Sequence, residues 1–499
     1  MKGSSEDHFP LVRLFGLTVL ALLIGGYHAG VEDAEIYVPA AKKFLHPNLY
    51  PFATEFFLSH GHLSLFAPIL ALAARLTHLP MDWTLLLGYL AGLFGTLAAC
   101  WLFVCACFCS SRARWTAMLV VTAVLTMPAT NTGLLLVDPY LTARSFSTPL
   151  TLFALASFLE KRYARVAVAL LFTALIHPQM VIYVLFLTGV IWTSERVKPA
   201  LREQVAVPVS GIAMMPTGFH FAPAHGAYRE ALLSRDYFFL YNWTWYHWLG
   251  LLAPLAILAW FWKSDLRGTR PGFRLVSFAL IPFGLLSIAA AVLLCSSPDF
   301  QMFVRLQPLR SFHLITLVFV MLLAGIAGEY LARDRRWVPV AISVPLAVGM
   351  FFVSRATYPN SPQIEWPSRS SSNPWVNTLL WVRHNTPTNA VFAVDSRYFT
   401  EVPVDTHGFR AISERAALAD YFKDGGVVSL FPELADEWKQ MSNATYGLNH
   451  FSVGQFRALR QQYPEISWTV IHGPAPAEMK CPYQRDSYSV CQMPAATAN

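Results

Sequence analysis

Long apolar runs alternate with short polar breaks from Pro10 to Val353, after which the chain changes to short mixed segments. A helix crossing a bilayer needs about 20 mostly apolar residues, and its backbone must satisfy its own polar groups. Reading each run against its punctuating Gly, Pro and charged residues predicts eleven spans. They lie near 10 to 29, 83 to 108, 115 to 136, 145 to 160, 164 to 177, 179 to 193, 204 to 222, 246 to 262, 273 to 295, 311 to 331 and 337 to 354. Two of these runs meet at His177-Pro178, where proline interrupts the helix, so one kinked span is the alternative to two short helices. The expected fold is an all-α polytopic membrane domain over residues 1 to 354, followed by a small soluble α/β domain over residues 355 to 499.

Residues 63 to 79 are nearly long enough to cross but contain Pro68 and Arg75. If they lie on the outer surface, the loops around Lys2, Arg112, Lys161, Arg196, Arg267 and Arg335 fall on one side. That arrangement puts 17 Lys and Arg inside and 8 outside, as positive-inside topology requires. Residues 30 to 82 are therefore expected to form one long external loop with membrane-lying amphipathic helices, with the N-terminus inside and the tail outside. The first run is read as an uncleaved span rather than a secretory signal, because its small-residue cleavage pattern is weak.

Composition agrees with a membrane protein. Hydrophobic residues make up 55% of the 499 positions and charged residues 13%, against roughly 25% charged in soluble domains. A soluble globular protein, a disordered chain and a disulfide-dense miniprotein are excluded. The net charge of +7 divides into +8 over residues 1 to 354 and −1 over the tail, so the basic excess belongs to the membrane part and gives no footing for nucleic-acid binding. Cys100, Cys105, Cys107, Cys109 and Cys295 sit in or at the ends of apolar runs without zinc-site spacing, and only Cys481 and Cys491, in the tail, could pair in an oxidising compartment.

After a linker over 358 to 372, Asn373-Pro374 opens a helix through Arg383, and 390 to 394 reads as a strand. Residues 432 to 441 and 452 to 463 read as helices, the second capped by Ser452, and 466 to 471 and 488 to 492 as strands. About 130 residues can close a modest core, so an independent domain is expected.

Candidate chemistry gathers next to the predicted external ends. Gly30 to Tyr37 places Glu32, Asp33 and Glu35 directly after the first span. They suit a general base or a divalent-metal site, or simply a helix start complementing the macrodipole. Asp138 and Arg144 stand six apart in a short loop, where the acid could meet a metal or sugar and the guanidinium a phosphate, the alternative being an Asp-Pro turn with a snorkelling arginine. His177 breaks two membrane helices, and ionisable groups at such breaks are site candidates. Arg305 and Arg310, with His313 close behind, could clamp a lipid phosphate or anchor headgroups. His60 and His62 lack a third local metal ligand but could touch substrate. The aromatic segment 237 to 248 fits an interfacial belt or a sugar platform. No Walker loop, dinucleotide glycine fingerprint, nucleophile elbow or HExxH occurs.

Four segments together resemble the glycosyltransferase C superfamily of polytopic enzymes, in particular bacterial members with a small C-terminal domain. They are the first external loop with Glu32 and Asp33, DPYLTARSFSTPLTLFAL from Asp138, ALIHPQM around His177, and WVRHNTPTNAVFAVDSR from Trp381. The resemblance implies an inner-membrane enzyme of cell-envelope assembly that uses a polyprenyl-phosphate-linked sugar and transfers it with inversion on the extracytoplasmic face. The acceptor would be a glycan, lipid or protein. It implies Asp33 as base with Glu32 beside it, Asp138 as second-loop acid, and Arg144, Arg305 or Arg310 as phosphate contacts. Mg²⁺ or Mn²⁺ is a possible cofactor, held if at all by Asp33 and Asp138. The tail lacks a Trp-Trp-Asp-type signature and the second loop has one acid rather than a pair, which counts against a metal and a protein acceptor. Two rival classes remain: a lipid-linked glycan flippase or exporter, which needs no catalytic acid, and a non-catalytic assembly partner.

Overall fold

The computed structural model describes residues 9–196, 223–332, 335–401 and 404–495. The protein is mainly helical, and a small mixed sheet closes its C-terminal end. Among the described residues, five helical stretches are long and apolar enough to cross a membrane: Met81–Cys107, Trp245–Lys263, Pro271–Ser296, Pro298–Leu331 and Val338–Thr357. The runs expected near 10 to 29 and 164 to 177 form shorter apolar helices, α1 (Leu11–Gly25) and α2 (Tyr163–Ile176). Between these two in sequence lies Ala143–Leu159, and after them Pro178–Arg196, both rich enough in polar residues to fall below a clear span. The run expected near 204 to 222 lies outside the described residues.

One expected span is corrected. The helix that begins at Ser111 ends at Ala123, and residues up to Leu136 fold back on themselves instead of continuing the helix. Pro128 cannot extend a helix, and Gly133 takes a positive φ of 70°. A narrow hairpin results, with Ala129 N–H on Leu134 O at 2.8 Å and Leu136 N–H on Met127 O at 2.9 Å. Pro128 and the polar run Thr130-Asn131-Thr132-Gly133 mark this turn between two apolar segments.

Residues 30 to 82 carry three helices before the first long span: Ala34–Leu45, Glu55–Gly61 and Phe66–Thr77. The last two meet at a 90° bend, so the apolar stretch over 63 to 79 does not extend the helix before it in a straight line. The chain ends facing this loop are distinct from those at the opposite pole. At that pole Cys109 N–H bonds Gly268 O, Ser110 bonds Glu329, and Arg267 N–H bonds the Tyr330 hydroxyl.

The tail contains β1 (Val391–Ala393), β2 (Ala416–Ala417), β3 (Ile466–His472), β4 (Tyr483–Arg485) and β5 (Tyr488–Gln492), ordered β2-β1-β3-β5-β4. The first three are parallel; β5 runs antiparallel to β3 and forms a hairpin with β4. Pro374–Asn385 packs its Trp375, Leu379 and Val382 into one sheet face with Phe392, Trp468 and Val490. Asn373 caps that helix on the N–H groups of Trp375 and Val376, and Ser452 caps Val453–Gln462, as their sequence positions predict. Cys481 and Cys491 form a disulfide across the β4–β5 hairpin.

The tail is not set apart as an independent unit. One continuous core joins Val391, Ala411, Trp438 and Ile466 to Tyr50, Phe56 and Phe57 of the loop after the first helix. Backbone pairing adds to this: Tyr27 bridges to Ile364, Val31 bridges to His407, and Gly408 N–H bonds Gly30 O at 2.8 Å. The first loop supplies apolar surface that the tail needs to cover its second face, which is why the two pack as one body.

Candidate functional site

A polar chamber of about 530 Å³ lies where the first loop, the Pro128 to Tyr140 hairpin, the His177 break, the Arg310 turn and the tail converge. It gathers Glu32, Asp33, His60, Asp138, Arg144, His177 and Arg310 from five separate parts of the sequence. Three positions fall elsewhere or differently. His62 is exposed and edges against Phe44, Arg305 lines a neighbouring apolar groove and donates to Leu430 O at 3.3 Å, and Glu35 is wholly buried beneath the chamber.

Asp33 occupies the N-cap position of Ala34–Leu45 but makes no capping bond. Its charge still lies at the positive end of the helix dipole, as the helix-start reading expects. Its Oδ2 stands 3.2 Å from Arg144 Nη2 and its Oδ1 3.3 Å from Lys423 Nζ. Lys423 also holds Glu32. Gly30 has a φ of 85°, a turn that brings the acidic pair round to face the tail.

Arg144 opens Ala143–Leu159 and reaches back to Asp138, donating from Nε at 3.0 Å to a carboxylate oxygen that also lies 2.8 Å from its Nη2. The Thr142 hydroxyl donates to the same oxygen at 3.2 Å. One guanidinium thus joins the two loop acids, a geometry that suits a planar fork better than an ammonium.

Burial works against an ionised Asp33, yet Lys423 first, then Arg144 and Arg310, hold its carboxyl well below the ordinary carboxylate range. Lys423 is correspondingly held above the usual lysine range, because Glu32 and Asp33 outweigh its own burial. Arg235 and Arg310 also face the chamber. Arg235 donates to Phe422 O and Arg310 Nη1 lies 3.5 Å from Gln179 Oε1; among the described residues neither has a carboxylate partner. Four cations thus face three carboxylates, and the two unpaired guanidiniums favour an anionic occupant.

Asp33 and Asp138 do not fit a divalent cation between them. The Arg144 guanidinium fills the space that the metal would take, and among the described residues no three His, Cys, Asp or Glu side chains form a metal-binding group.

His60, His177, Gln179, Tyr37 and Leu430 also line an apolar groove of about 780 Å³ bounded by Leu63, Ile176, Ile182, Phe186, Leu286 and Leu306. His60 Nε2 is 3.2 Å from the Tyr37 hydroxyl. The His177-Pro178 break thus forms part of the seam between a charged chamber and an apolar slot. The aromatic segment divides: Tyr237 lines the chamber against Gly133, Phe238 and Phe239 are buried, and Tyr241, Trp245 and Tyr246 are exposed.

Sequence reading missed Lys423 and Arg235, together with the chamber tyrosines Tyr37, Tyr140 and Tyr358. Lys423-Asp424-Gly425-Gly426 carried a usable signal. Side chains at Gly425 would press on Trp438 and Arg235, so the glycines let the lysine's short helix sit close to that arginine. No protein-family model matches this chain, and no curated protein matches it.

Proposed function

We propose that this protein is a membrane glycosyltransferase that moves a sugar from a polyprenyl-phosphate donor to an acceptor on the extracytoplasmic face, in cell-envelope glycan or glycolipid assembly. The observation that carries the reading is the joined pair of cavities: Asp33 and the four cations in a chamber that opens into an apolar slot. A phosphate ester with a long hydrocarbon tail matches both parts, and concave sites of this size hold ligands of that class.

In this reading the prenyl chain lies in the slot, and Arg310 and Arg144 meet the phosphate. Asp33 accepts the proton of an acceptor hydroxyl as its oxygen attacks the anomeric carbon. The bond from that carbon to the phosphate oxygen breaks, its electron pair leaves with the lipid phosphate, and the configuration inverts. The developing negative charge falls on oxygen atoms already facing preorganised guanidiniums.

We read the membrane part as polytopic, with the chamber on the extracytoplasmic side. The loops near Arg112 and Arg267 come together at the pole opposite the chamber, which supports putting both on the cytoplasmic side. The Cys481–Cys491 disulfide supports an oxidising surrounding for the tail.

The test is turnover of a panel of polyprenyl-phosphate sugars to free polyprenyl phosphate by the full-length protein in lipid nanodiscs, wild type against Asp33→Asn, with and without Mg²⁺ or Mn²⁺. Release by the wild type alone is expected. Donor binding with no release by the wild type would overturn transfer and favour transport or assembly. Full activity in Asp33→Asn would remove that residue from the mechanism.

A further inference from the structure

We propose that Lys423 is an exchangeable counter-ion, seated on Asp33 and Glu32 and moving to the ligand's phosphate when one enters the chamber, which releases Asp33 to act as base. This rests on the reading of the chamber as a polyprenyl-phosphate site.

The two cations on Asp33 are not equivalent. Arg144 is buried and fastened to Asp138 through two nitrogens, with Thr142 closing the same oxygen. Moving it would strand a buried carboxylate without its charge partner. Lys423 has its second anchor on Glu32, which is partly exposed rather than buried like Asp138. Among the described residues its ammonium meets the carboxylates of Glu32 and Asp33, whose side chains are 39% and 33% exposed, and lies 5.9 Å from the centre of the Phe399 ring. An ammonium on a four-carbon stem also keeps three rotatable donors and needs no planar match.

The neighbourhood favours exchange. Arg235 donates to the carbonyl of Phe422, the residue before Lys423, and lies over Gly425 and Gly426. A phosphate drawn in by Arg235 and Arg310, the two cations without carboxylates, arrives within the reach of the lysine. Swinging the ammonium onto it replaces one charge-assisted bond by another. The consequence falls on Asp33. Lys423 is the strongest influence holding its carboxyl down, and burial acts the other way, so the carboxylate becomes a better proton acceptor once the lysine leaves. Binding of the donor phosphate and activation of the base are then one event, and the tail takes part in it directly.

The experiment measures affinity for undecaprenyl monophosphate, and for inorganic phosphate as a second probe, with the full-length protein in nanodiscs. Wild type, Asp33→Asn, Lys423→Met and the double variant form a cycle. Exchange predicts about tenfold tighter lipid-phosphate binding in Asp33→Asn, because the lysine loses its competitor, and about tenfold weaker binding in Lys423→Met. The double variant should bind like Lys423→Met. If Asp33→Asn still tightens binding in the Lys423→Met background, the gain is plain loss of negative charge and exchange is overturned. Unchanged affinity in either single variant also overturns it. The expected pattern without sugar release by the wild type leaves exchange standing and removes transfer; the pattern with inorganic phosphate but no preference for the lipid removes the lipid reading alone. No binding of either probe by the wild type overturns both.

Discussion

Glu35 and Arg410 lie 375 positions apart in the chain, yet the buried Glu35 carboxylate accepts the Arg410 backbone N–H at 2.9 Å and faces its guanidinium at 3.1 Å. The other carboxylate oxygen accepts the Ala411 N–H, also at 2.9 Å. Arg410 in turn holds Asp424, the neighbour of Lys423. The first loop and the tail are thereby fixed to each other just beneath the chamber, and the position of Lys423 depends on that junction.

Burial pushes the Glu35 carboxyl up to about 7 in spite of Arg410 and the two N–H donors. A group whose folded value lies above its unfolded one binds an extra proton when folded, so stability falls as pH rises from the ordinary carboxylate range through about 7. Thermal unfolding in detergent should occur at lower temperature at pH 8 than at pH 5, and Glu35→Gln should flatten that dependence. Glu35→Ala leaves Arg410 and two N–H groups short of a partner and should cost about 3–5 kcal/mol. A flat pH profile in the wild type would refute the assignment.

Gly408 is a purely steric counterpart of the same junction. A Cβ there would stand 2.7 Å from Glu35 Cβ and closer still to its carboxylate, although the backbone itself tolerates any residue, with φ at −76°. Gly408→Ala should therefore destabilise by about 1–3 kcal/mol through overpacking alone. The check is a lowered melting temperature together with faster proteolysis of the tail, at a pH where Glu35→Gln and wild type agree.

How much of this was legible follows from range. Asp33, Asp138, Arg144 and His177 stand out because ionisable residues beside membrane runs are rare enough to need a reason, and the chamber gathers all four. Lys423 looks like any solvated tail lysine until the fold carries it across the first loop. Glu35 and Asp33 share one acidic cluster in sequence and face different environments, because a helix turn separates neighbours that composition groups together. The span expected over 115 to 136 failed for a local reason, a Pro128 turn inside an apolar stretch, whereas the tail helices were readable from Asn373 and Ser452 because caps act within a single turn.

Arg144 bridges Asp33 and Asp138 with one planar group, so a lysine cannot replace it. Arg144→Lys should weaken binding of polyprenyl phosphate more than tenfold and lower the melting temperature. Arg144→Met leaves buried Asp138 unpaired and should be the least stable, while adding Asp138→Asn should recover stability without recovering binding. Recovery of binding in that double variant would show that the guanidinium serves only to neutralise Asp138.

Two cysteine sites at opposite poles provide a test of orientation. Cys109 is exposed, with its N–H bonded to Gly268 O, at the pole assigned to the cytoplasm, whereas Cys481 and Cys491 are joined at the far side of the tail. In intact cells a membrane-impermeant maleimide should leave Cys109 unmodified until the membrane is permeabilised. External reductant should free the half-buried Cys481 for labelling without permeabilisation. A disulfide closing so short a loop contributes about 3 kcal/mol, so Cys491→Ser should lower the melting temperature while leaving the accessibility of Cys109 unchanged. Labelling of Cys109 from outside, or a reporter fused after Arg335 reading as external, would reverse the topology and put the chamber on the side where free nucleotide sugars, rather than lipid-linked ones, are the abundant donors.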